Sequence, residues 1–164
     1  MRYFFIPPTN SYEQINWDAR YNVFVYGTLK SQQSNHSLLS PEEAGSDFIG
    51  AAVSTKETYM MACNGGFPMV QDTQSIGSDR YKVIGEIYNI DQRTLMRLDQ
   101  LESNGRLYSR AKRNFIVNMD GEPTEVTAWI YLYLGNLKHY SAEHARTLRI
   151  YAGSNNCKLI EWSR

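Results

Sequence analysis

The chain has 164 residues, enough for one compact domain and short for two. Its 17 Lys and Arg offset its 17 Asp and Glu, which argues against a nucleic-acid binder and against an acidic tail protein. At 42% apolar and 21% charged it is too hydrophobic for intrinsic disorder, and a domain of this size needs neither metal nor disulfide to fold.

No run approaches the roughly 20 apolar residues of a membrane-spanning helix. The apolar patch at Tyr3 to Ile6 stops at Pro7-Pro8, too short for a signal-peptide core. Cys63 and Cys157 stand in no CxxC spacing and read as reduced thiols, so the expected setting is the cytoplasm. The sequon Asn35-His36-Ser37 carries no weight without a secretory signal.

Residues 1–20 read as an N-terminal extension, and residues 21–164 as a single domain. Val23-Phe24-Val25-Tyr26 is a short apolar run ended by Gly27, the pattern of a buried strand. Residues 30–40 are polar, with Leu38-Leu39 on a short helix before Pro41. Strand-like pieces follow at 49–53 and 58–63, with Asn64-Gly65-Gly66 as a turn. Residues 83–90 alternate as a strand. Asp91 can then cap a helix running to about Glu102, with Gly105 as its stop. Strands at 110–118 and 125–134 flank Asp120-Gly121, a dipeptide favoured in hairpin turns. Ser141 caps a last helix through Ile150. Many strands with few helices point to an α+β domain built on a curled or closed sheet.

On the helix from Asp91, at about 100° per residue, Glu102 falls between Leu95 and Leu98 in the middle of the apolar stripe. Asp99 lies at the stripe's edge, while Arg93, Arg97 and Gln100 point elsewhere. Burial and the helix C-terminus would both raise the pKa of such a glutamate, as general acid–base work requires. Two plainer readings stand beside this one. The helix ends earlier and Glu102 turns to solvent, or Glu102 pairs with Arg106 or Arg110.

The strand–glycine turn Tyr26-Gly27-Thr28-Leu29 can aim backbone amides at an anion, though it is also a common plain turn. It is no phosphate loop, since neither GxxxxGK nor GxGxxG is present. His36, His139 and His144 have no metal-ligand spacing, and no GxSxG marks a serine nucleophile. Tyr108 and Arg110 open a strand, where packing and a surface charge account for them.

In order and spacing these segments resemble the gamma-glutamylcyclotransferase-like family. The resemblance runs from Val23-Phe24-Val25-Tyr26-Gly27-Thr28-Leu29-Lys30 through Asn35-His36-Ser37-Leu38-Leu39 and Gly85-Glu86-Ile87-Tyr88. It is sharpest at Leu98-Asp99-Gln100-Leu101-Glu102 followed by Tyr108-Ser109-Arg110, and it ends near Trp129-Ile130-Tyr131. The YGTLK…NH…L pattern is similar to the gamma-glutamylamine cyclotransferase branch. The resemblance implies a small mixed β-barrel flanked by helices. It implies Glu102 as the acid/base, Tyr26, Gly27, Thr28, Leu29 and Tyr108 as substrate-binding residues, and no cofactor or metal. The implied substrate is a small γ-glutamyl amide that closes to 5-oxoproline and a free amine. Two departures from the family pattern stand out. Ser31-Gln32-Gln33-Ser34 lacks the glycine often found after YGTL, and Ser103 replaces a glycine often found after the glutamate. The rivals are a non-catalytic member that binds a small amide or a protein, and an enzyme that removes a γ-glutamyl protecting group.

Overall fold

A computed structural model of the protein describes residues 19–26, 39, 45–64, 67–77, 80–137 and 161–163. The described strands are β1 (Arg20–Val25), β2 (Ser46–Ser54), β3 (Tyr59–Asn64), β4 (Phe67–Asp72), β5 (Lys82–Asp91), β6 (Tyr108–Met119), β7 (Glu122–Tyr133) and β8 (Glu161–Ser163). One helix, α1 (Gln92–Leu101), follows β5 directly. None of the described helices is long and apolar enough to cross a membrane.

Five strands close into a barrel in the order β1-β7-β6-β2-β5, with β5 returning to β1. The barrel is mixed. β1 meets β7 in parallel, Val23 opposite Trp129, and the other pairings are antiparallel. β3 and β4 form a separate hairpin, with Asn64 opposite Phe67.

Alternation along each strand separates two apolar layers. Phe24, Tyr26, Ile87, Phe115, Val117 and Ile130 share the barrel interior with Tyr59, Met61 and Val70 of the hairpin. The Phe24 and Phe115 rings stack there at 4.1 Å. Gly85 makes this possible, because a Cβ on it would fall 2.2 Å from the Val25 carbonyl oxygen and 2.7 Å from Phe24 Cζ. The opposite faces of β1, β5, β6 and β7 carry Val23, Val25, Tyr88, Ile90, Tyr108 and Tyr131, and onto these α1 lays Leu95 and Leu98.

The local signals act as their chemistry dictates. Asp91 caps α1 by accepting from the Thr94 amide at 2.8 Å. Asp120 and Gly121 both take positive φ, 53° and 83°, between paired Met119 and Glu122. That is the geometry a two-residue hairpin turn needs.

Three expectations are corrected. α1 ends at Leu101, so Glu102 is its C-cap and not a helical residue. The left-handed residue that ends the helix is Ser103, at φ 49°, two residues before Gly105. The Ser103 amide donates to the Gln100 carbonyl at 3.3 Å and the Asn104 amide to the Asp99 carbonyl at 2.9 Å, the pair of bonds of a Schellman cap. β1 begins at Arg20, whose guanidinium donates to Asn89 and Asp47 across the neighbouring strands. The short β8, pairing with Lys82, Val83 and Ile84, carries too little pattern to be foreseen. The expected helices near Leu38-Leu39 and from Ser141 lie outside the described residues, Leu39 excepted.

Candidate active site

The Schellman cap fixes the backbone of Glu102, whose amide donates to the Leu98 carbonyl at 2.9 Å. The side chain is partly buried. Among the described residues no cation pairs with it. Burial alone pushes its carboxyl up from 4.5 to about 7. The group thus stands near half-protonation at neutral pH, where a proton carrier works best.

Three tyrosines gather around it, two from strands and one from the residue after a strand. Tyr26 follows β1, Tyr108 opens β6, and Tyr131 lies near the end of β7. Burial raises all three phenols, and the Glu102 charge raises each of them further. They stay protonated at neutral pH. The Tyr26 hydroxyl donates to the Tyr131 carbonyl at 2.6 Å, tying β1 to β7. Tyr108 packs edge-on against Tyr133 at 5.7 Å.

A second acidic group supports this arrangement. Asp99 is fully buried. Arg110 grips it from both sides, Nε to Oδ1 at 2.6 Å and Nη2 to Oδ2 at 3.0 Å, and the Tyr131 hydroxyl adds a bond at 2.5 Å. The guanidinium lies 4.5 Å from the centre of the Trp129 ring. Its backbone amide is held by Asn104 Oδ1 at 3.0 Å. The cluster joins α1, the turn after it, β6 and β7 into one rigid support.

The structure therefore brings Glu102, Tyr26 and Tyr108 together. Gly27, Thr28 and Leu29 lie outside the described residues, as do His36, His139, His144, Cys157 and the side chain of Cys63. Among the described residues no group of His, Cys, Asp and Glu could hold a metal ion. Arg110 is no surface charge: it forms an ion pair, and with Asp99 in place of Glu102. Glu102 does not turn to solvent although the helix stops before it. Sequence reasoning missed Asp99, Arg110 and Tyr131 as a unit. The one signal for it was Asp99 at the stripe's edge.

The family model described as "Gamma-glutamyl cyclotransferase, AIG2-like" matches residues 23–154. Gamma-glutamylaminecyclotransferase A of Danio rerio is 40% identical over 114 residues, 67% of either chain. Gamma-glutamylaminecyclotransferase of Bos taurus is 32% identical over 111 residues, 66% of this chain and 63% of that one. The crystal structure of an AIG2-like protein from Mus musculus superposes with a TM-score of 0.61 at 25% identity, covering 73% of this chain and 81% of that one. The match spans the barrel apart from the first three residues of β1, together with α1 and every described residue around Glu102, and the chain belongs to the AIG2-like gamma-glutamyl cyclotransferase family of enzymes.

Proposed function

We propose that the chain converts a γ-glutamyl amide into 5-oxoproline and a free amine, with Glu102 as general base and then general acid. The observation that carries this reading is a partly buried carboxyl without a counter-cation among the described residues, beside Tyr26 and Tyr108. The substrate's α-ammonium gives a proton to Glu102. The neutral nitrogen attacks the γ-carbonyl carbon and closes a five-membered ring. The carbon–nitrogen bond to the leaving amine then breaks as Glu102 returns the proton to that nitrogen, and the ring nitrogen's second proton passes by way of Glu102 to the freed amine, which departs as an ammonium. Atoms balance without water, and each proton taken is given back. The Tyr26 phenol, whose proton is committed to the Tyr131 carbonyl, keeps its oxygen as an acceptor for the substrate's ammonium, and the protonated Tyr108 adds no charge that would compete with Glu102. The 26–29 segment is assigned the γ-glutamyl head group by family resemblance. Likeness to the zebrafish and bovine gamma-glutamylaminecyclotransferases supports an amine as leaving group. The reading of Cys63 and Cys157 as thiols supports a cytoplasmic setting.

The test is Glu102→Gln, which keeps shape and removes the base. Across a panel of γ-glutamyl amines, 5-oxoproline release should fall by roughly 100-fold or more in kcat with little change in KM. Cyclisation at the parent rate would refute the assignment.

A further inference from the structure

We propose that Asn104 is a positioning residue for the cyclisation: its side-chain oxygen seats the turn after α1 on the edge of β6 and so fixes Glu102 relative to Tyr108. The inference rests on Glu102 being the acid/base.

The edge follows from the strand register. The Leu134 amide donates to the Leu107 carbonyl at 3.0 Å, which makes these two a hydrogen-bonded pair continuing the β6–β7 ladder. An antiparallel ladder alternates, so Tyr108 and Arg110, opposite Tyr133 and Tyr131, turn their backbone N–H and C=O groups away from β7. On that side β2 covers β6 from Ser54 opposite Phe115 to Ala52 opposite Val117, and the Thr55 amide adds a bond to the Asn114 carbonyl at 3.1 Å. Among the described residues, no strand continues this cover to Arg110 or Tyr108.

The turn takes the missing strand's place. The Gly105 amide donates to the Tyr108 carbonyl at 2.7 Å, and Asn104 Oδ1 accepts from the Arg110 amide at 3.0 Å. A side-chain amide is shaped like a peptide group, so its oxygen can stand in for a neighbouring strand's carbonyl. The Asn104 backbone amide meanwhile donates to the Asp99 carbonyl at 2.9 Å inside the helix cap. One half-buried residue thus joins the last turn of α1 to the start of β6.

Other bonds nearby act differently. The Arg106 and Leu107 amides both donate to the Ser103 carbonyl, at 2.9 and 3.0 Å, which holds the turn's own shape. The Asp99–Arg110 ion pair spans the same gap, but through a long side chain that can follow a shift of the backbone. The Asn104 bond grips the β6 backbone itself. Glu102 is fixed to α1 and Tyr108 to β6, so sliding of one element past the other moves the carboxyl against the ring. A misplacement of about 1 Å at a reacting group costs on the order of 100-fold in rate.

The experiment compares Asn104→Leu and Asn104→Asp in the full chain, reading 5-oxoproline release from γ-glutamyl amines and amide hydrogen exchange at Arg110. Asn104→Leu keeps the size of the side chain and removes the acceptor. Its Arg110 amide should exchange roughly tenfold faster or more. Its kcat should fall roughly tenfold or more, with KM changed by less than about threefold. Asn104→Asp keeps an acceptor oxygen and should bring both exchange and kcat to within about threefold of the parent. Asn104→Ala carries the same expectations as Asn104→Leu should the leucine variant not fold. Unchanged exchange at Arg110, parental kcat in a folded variant whose Arg110 amide exchanges faster, or Asn104→Asp as slow as Asn104→Leu would overturn the inference. Glu102→Gln assayed beside them separates the two readings. If it is inactive while Asn104→Leu is parental, the role of Asn104 falls alone; parental turnover in Glu102→Gln removes the acid/base assignment and this inference with it.

Discussion

Arg110 closes on Asp99 and passes Glu102 by. The two carboxylates are three residues apart at the end of one helix, yet only Asp99 receives the guanidinium, at 2.6 and 3.0 Å. Glu102 keeps a raised pKa because that cation is already engaged. Had Arg110 paired with Glu102, the carboxyl would be held ionised and Asp99 would be a buried charge without compensation.

Removing the cation should therefore damage stability first. Arg110→Met leaves Asp99 buried with only Tyr131 as partner, and should cost roughly 3–5 kcal/mol in urea unfolding. Asp99→Asn/Arg110→Met, which removes both charges, should be clearly more stable than Arg110→Met alone. Equal losses in the two variants would show that the ion pair is not the source.

Stability should also depend on pH through Glu102. Its carboxyl titrates at about 7 when folded and near 4.5 when exposed, so the folded state binds the extra proton between these values. Folding free energy is fully present below the unfolded value and falls as pH rises toward 7, by up to roughly 3 kcal/mol. Glu102→Gln should lose this dependence and be more stable than the parent at pH 8. In the parent enzyme kcat/KM should fall roughly tenfold per pH unit below pH 7 as the base becomes protonated.

Ser103 sits where a glycine would be at ease, with φ at 49°. Ser103→Gly should stabilise the chain by roughly 0.5–1 kcal/mol, read as a higher Tm, with 5-oxoproline release unchanged.

Gly85 is under the opposite constraint. Gly85→Ala would drive a methyl group into the Val25 carbonyl and the Phe24 ring. A loss of roughly 3 kcal/mol or more in unfolding free energy is expected, because backbone on a closed barrel has no room to give. Gly105→Ala is the comparison, since nothing lies within 4 Å of the added carbon and only its φ of 90° is strained.

Much of the frame was legible because it rests on local chemistry. Asp91 announces a cap, Asp120-Gly121 a tight hairpin, and the alternation from Val83 to Ile90 a strand with two faces. Glu102 was legible too, since an acidic residue in phase with Leu95 and Leu98 must lie near the packed face. The same phase argument put Asp99 at an edge, because helical periodicity ignores what the next strand presents. Arg110 returns to α1 from β6 after an eight-residue excursion through a turn whose path depends on Ser103, and no periodicity reports that. β8 reaches β5 from more than seventy residues away, and three residues carry no readable alternation.

The parallel contact of Val23 with Trp129 is the seam that turns an open sheet into a cylinder. Tyr26 stands on one lip of that seam and Tyr131 on the other, laced by a single 2.6 Å bond. Closing the cylinder and setting Tyr26 against Tyr131 are one event. A barrel gaping along this line would part the two tyrosines that flank Glu102.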